Sequence, residues 1–73
     1  MVIDRKAEAV IKFVDKNFYI FFRNEGKWRL LDTQNPLEDA YGRALFLGEG
    51  LWQDLDDISD EEGNRIVEEW LRA

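Results

Sequence analysis

The sequence predicts a small α+β domain: an antiparallel β-hairpin, extended to a three-stranded meander, packed by two C-terminal α-helices. Three observations carry this expectation. Residues 18–23 and 27–32 are two runs rich in strand formers, separated by Asn24, Glu25 and Gly26. Asn35 followed by Pro36 opens a stretch with helical apolar spacing. Ser59 followed three residues later by Glu62 matches a capping box, the start signal of a second helix. With 73 residues, the chain is expected to be a single domain, residues 1–73.

The hairpin register turns on the loop. In a three-residue loop, Gly26 takes the left-handed position and Arg23 pairs with Lys27. Phe18, Ile20, Phe22, Trp28 and Leu30 then share one face, and Tyr19, Phe21, Arg23, Lys27, Arg29 and Leu31 share the other. A two-residue loop would pair Asn24 with Lys27 and bring Lys27 and Arg29 onto the face of Phe18, Ile20 and Phe22. Burial selects against mixing charge into an apolar face, so the three-residue loop is the expected one.

Residues 9–14 read two ways. Ile3, Ala7, Val10, Ile11 and Val14 fall on a helical stripe, yet Val10, Ile11, Phe13 and Val14 are strand formers. A third strand is favoured because a lone hairpin is marginal in water. Asp15, Lys16 and Asn17 would form the tight loop, with Asn17 tolerating the left-handed conformation. Residues 3–8 could form a short helical turn in either case.

In the second half, Pro36 suits a first helical turn, with Glu38 and Asp39 near the positive end of the helix dipole. Leu37, Ala40, Tyr41, Ala44, Leu45 and Leu47 form the apolar stripe, and Gly48 is the expected C-cap. Residues 49–55 read as a linker or short turn. In the last helix, capped by Ser59, the stripe is Ile66, Val67, Trp70 and Leu71. Gly63 within it costs about 1 kcal/mol relative to alanine, which suggests close packing. The expected core sets Leu37, Tyr41, Leu45, Ile66, Val67 and Trp70 against the hairpin face of Phe18, Ile20, Phe22, Trp28 and Leu30.

Composition narrows the chemistry. There is no Cys and no His, so disulfides and zinc sites built on those residues are excluded. A short chain then depends on its ten aromatic residues for a core, each able to bury about 150–250 Å². Ser59 and Thr33 are the only hydroxyl nucleophiles besides tyrosine, and no Ser/His/Asp or Cys/His constellation can be built. The expectation is a non-enzymatic protein with no cofactor and no metal. Aligning Asp57 as the first ligand of a calcium loop puts Glu62 where such a loop requires glycine. No run approaches a membrane span and the N-terminus lacks a secretory pattern, so a cytoplasmic location is expected.

The charge is asymmetric. Residues 1–36 carry seven Lys/Arg and five Asp/Glu; residues 37–73 carry three and eleven, a net −8 in the second half. Asp54, Asp56, Asp57, Asp60, Glu61 and Glu62 place six carboxylates in nine residues with no base among them. One reading is a solvated approach to a helix N-terminus. Another is a docking surface for a basic protein, with Trp52, Asp54, Asp56, Asp57, Asp60 and Glu61 as contacts; in the extreme it imitates a nucleic-acid backbone. Tyr19, Phe21, Arg23, Lys27 and Arg29 form a second candidate, an aromatic-basic hairpin face for single-stranded nucleic acid. Its plain alternative is that the rings are covered and Arg29 stacks on a ring or pairs with an acid of the second half. The functional expectation is a small protein-binding regulator or adaptor. Single-strand nucleic-acid contact and a non-catalytic accessory subunit are the alternatives, and exposed aromatics with free strand edges allow a homodimer.

Overall fold

In the computed structural model, which describes residues 1–48 and 54–72, strands and helices follow the order β1 (Val2–Asp4), β2 (Ala9–Val14), β3 (Asn17–Phe22), β4 (Lys27–Leu30), α1 (Pro36–Leu47), β5 (Asp56–Asp57) and α2 (Asp60–Arg72). The fold is α+β. One five-stranded sheet runs β4-β3-β2-β1-β5, with every neighbouring pair antiparallel. The expected meander is present as β2, β3 and β4, so residues 9–14 are a strand. Two further strands enlarge it. Residues 2–4 pair with β2 rather than coiling into a helical turn, and β5 pairs with the free edge of β1 through Val2 with Asp57 and Ile3 with Asp56.

The hairpin loops explain the sheet. Asp15 and Lys16 both take positive φ, 50° and 67°, so Val14 pairs directly with Asn17, which lies in the strand rather than in the loop. The β3–β4 loop has four residues, 23–26, with Gly26 at φ 70° and its N–H donating to Phe22 O at 3.1 Å. Phe22 therefore pairs with Lys27, and Phe21 with Trp28. This corrects the expected three-residue loop. One added loop residue turns Trp28 and Leu30 to the opposite face and brings Lys27 and Arg29 onto the face of Ile20 and Phe22.

The two helices accordingly cover opposite faces, not one. On the first, Val2, Ala9, Ile11 and Ile20 pack with Tyr41 and Ala44 of α1 and with Leu55, flanked by Phe18, Phe22, Leu31 and Leu45. On the second, Ile3, Val10 and Phe21 pack with Val67 of α2, flanked by Trp28, Ile58, Ile66 and Trp70. Phe21 is the centre of that side, 5.5 Å from the Trp28 ring and 6.3 Å from the Trp70 ring. Leu37 and Leu47, expected to be buried, are exposed at the two ends of α1. The helix reaches the sheet at separate strands, carrying Glu38 to Arg29 of β4 and Tyr41 to Asp4 of β1.

The caps at Gly48 and Ser59 follow the sequence, and Asn35 supplies the N-cap of α1. Asn35 Oδ1 accepts from the Leu37 and Glu38 N–H groups, and Gly48 ends α1 in the left-handed conformation, donating to Ala44 O. Ser59 Oγ accepts from Glu62 N–H at 3.0 Å. Gly63 is buried against Met1 and Ile58, where a Cβ would meet the Met1 side chain. Among the described residues, no helix is long and apolar enough to cross a membrane.

Candidate functional site

The acidic segment wraps the outer edge of the sheet. It is held by two apolar residues that alternate across β5. Leu55 is buried in the α1-side core and Ile58 packs into the α2-side core. Between them Asp56 and Asp57 form the edge strand and remain exposed, one on each face. Asp54 precedes them and Asp60 and Glu61 follow in the first turn of α2, all three exposed. The fold thus brings five of the expected contacts to one edge. The sixth, Trp52, lies outside the described residues.

Compensating charge at this edge is sparse. Arg5 Nε donates to Asp56 Oδ2 at 3.2 Å, with both side chains largely exposed. Met1 N lies 3.5 Å from Asp60 Oδ1. Among the described residues, Asp54, Asp57 and Glu61 join no ion pair. Glu61 instead lines an open depression of about 480 Å³ with Ser59, Glu62 and Arg65.

The aromatic-basic hairpin residues are not assembled into one surface. Phe21 is buried under Trp28 and Trp70. Tyr19 is half-buried on the same side, with Lys12 Nζ 5.9 Å from its ring centre and 4.1 Å from that of Trp28. Arg23 donates to Glu8 Oε2 at 2.6 Å. Lys27 and Arg29 belong to the other face, because of the four-residue loop.

Arg29 is committed to structure. Its Nη1 and Nη2 donate to the two carboxylate oxygens of Glu38 at 2.6 and 2.9 Å, and its Nε and Nη2 donate to Glu25 at 2.8 and 3.1 Å. The guanidinium carbon is 5.6 Å from the Phe22 ring centre. Glu38 is only 1% exposed and also accepts from Asp32 N–H at 2.9 Å. Hydrogen bonds from Arg29 hold the carboxyl groups of both Glu38 and Glu25 below their ordinary range, against the opposing effect of burial. A second buried polar contact ties α1 to the sheet. Tyr41 Oη donates to Asp4 Oδ2 at 2.6 Å, while Asp4 Oδ1 accepts from Lys6 and Ala7 N–H in the first loop. Burial, followed by the hydrogen bond to Asp4, pushes the Tyr41 hydroxyl well above the ordinary phenol range.

One feature was not anticipated from the sequence, an exposed aromatic ridge on the α1 side. Phe13 and Phe18 lie 4.8 Å apart between ring centres, and Phe18 and Phe46 meet edge-on at 5.0 Å. Phe46 is 70% exposed and Phe13 56%. Phe18 lines two depressions, one of about 320 Å³ with Leu31, Gly42, Phe46 and Leu47, and one of about 140 Å³ with Phe13, Leu45 and Asp57. The available signal was Phe46 itself, an aromatic residue off the buried stripe of α1. No protein-family model matches the chain, no curated protein matches it, and no solved structure matches it.

Proposed function

We propose that this chain is a small, non-enzymatic protein-binding regulator or adaptor that docks a basic partner through its acidic edge. The observation that carries this reading is the exposure of Asp54, Asp56, Asp57, Asp60 and Glu61 along β5 and the start of α2, with Arg5 the one guanidinium paired against them among the described residues. Carboxylates held on a strand edge and a capped helix turn are positioned rather than loose. They attract a cationic surface over about a Debye length, raising the association rate and selecting against acidic partners. Arg29 and Arg23 are spent on Glu38, Glu25 and Glu8, which weakens the alternative of direct nucleic-acid contact.

The test is capture from a nuclease-treated lysate of the organism that encodes the chain, using wild type and D54N/D56N/D57N. A stoichiometric basic protein is expected on the wild type, weakened in the variant and in high salt. A nucleic-acid-binding identity for that protein would specify mimicry. Equal retention by the variant at low and high salt would sink the proposal.

A further inference from the structure

The aromatic ridge borders the acidic edge, and Asp57 belongs to both. We infer that the cleft between Phe13, Phe18, Leu45 and Asp57, continued over Phe18 to Phe46, seats the apolar side chains of a cationic amphipathic segment of a partner protein. This inference rests on the docking role proposed above and names the partner's chemistry. The floor is apolar: Phe13 and Phe46 are more than half exposed, and ring edges and faces are open to a further side chain. The rim is anionic. Asp57 lines the smaller cleft, and Lys12, which also lines it, turns its ammonium to the opposite side of the sheet, over Trp28. At the larger depression, Arg43 is already bonded to Asp39 at 2.9 Å. The ridge therefore presents hydrophobic surface beside a carboxylate that joins no ion pair among the described residues.

Charge complementarity selects the occupant. A second copy would bring a net charge of −6 against −6. Anionic lipid and nucleic-acid phosphates meet the same repulsion. A helix with leucines on one face and lysines flanking them satisfies floor and rim together, the anchors spaced as in other helix-in-groove complexes.

The experiment is fluorescence anisotropy with a labelled Leu/Lys amphipathic peptide of roughly 18 residues, five helical turns. A Leu/Glu peptide and a Ser/Lys peptide are the controls. Wild type, F13S/F46S and D54N/D56N/D57N are compared after circular dichroism confirms folding; F46S alone, at the most exposed ring, serves if the double variant unfolds. The expected result is binding of the Leu/Lys peptide alone, weakened at least about tenfold in F13S/F46S and weakened in the Asp variant in a salt-dependent way. Amide shifts in NMR should centre on residues 13, 18, 45–47 and 57. Loss in the Asp variant with no effect of F13S/F46S overturns the inference and leaves acidic docking standing. Loss in F13S/F46S with no effect of the Asp variant at any salt overturns both. A wild-type dimer in sedimentation that F13S/F46S abolishes makes a second copy the occupant and overturns the inference, as does failure of the Leu/Lys peptide to bind wild type.

Discussion

Arg29 lies on a sheet face that packs against a helix, a position where an unpaired guanidinium would be costly. Its compensation comes from that helix, because α1 carries Glu38 into the same space, and from the adjoining loop through Glu25. Removing one partner leaves a buried charge alone. R29M should therefore cost about 3–5 kcal/mol, and R29M/E38M should recover part of it, both read from urea unfolding. The same bonds set a pH dependence. The folded state holds Glu38 and Glu25 below their unfolded pKa values, so their contribution is present above about pH 4.3. It is lost as pH falls through the depressed folded values. E38Q should flatten the acid limb of the stability profile, and an unchanged acid limb would exclude Glu38 as its source.

At the scale of elements, the loops determine what each strand presents. The β2–β3 connection places two non-glycine residues, Asp15 and Lys16, in the left-handed region, as a two-residue hairpin turn with the right twist demands. A side chain there costs roughly 1–2 kcal/mol, less for Asp. K16G should stabilise the protein by about 1 kcal/mol, raising Tm by about 4–8 °C in a domain of this size. A neutral or lower Tm would mean that the turn is not held as described. The β3–β4 loop shows the larger effect of one residue. Gly26 has the left-handed conformation its position in the sequence suggested, but a fourth loop residue moves Trp28 and Leu30 to the α2 side.

For the whole molecule, a sheet apolar on both faces requires both helices. Phe21, Val10 and Ile3 lie beneath α2, and Ile20, Ile11 and Val2 beneath α1. A chain ending at residue 58 keeps every strand but uncovers the Phe21 side. It should lose cooperative thermal unfolding and aggregate at micromolar concentration, checked by calorimetry and light scattering. Cooperative melting of that fragment would show that the α2 face is dispensable. The acidic edge belongs to this scale too, because β5 has little strand propensity of its own and is formed by the open edge of β1 together with the burial of Leu55 and Ile58.

Sequence by itself determined the α+β class, the hairpin strands at residues 18–30, both helices, the boundary at Asn35 and Pro36, and the caps at Gly48 and Ser59, while residues 9–14 stayed readable as strand or helix. These signals are local. Apolar period, turn chemistry and capping depend on residues a few positions apart. It also determined that Asp54, Asp56, Asp57, Asp60 and Glu61 would lie in solvent, because no base within the run could neutralise them on burial. Tertiary structure alone decided which sheet face each helix covers, that Arg29 would be held on the α1 side, and that Phe13, Phe18 and Phe46 would meet in an exposed ridge. The physical reason is parity. Strand side chains alternate with a period of two, so one residue in a loop exchanges the faces. The partner that makes a charge tolerable on the exchanged face, Glu38, arrives from a helix that no local pattern ties to Arg29.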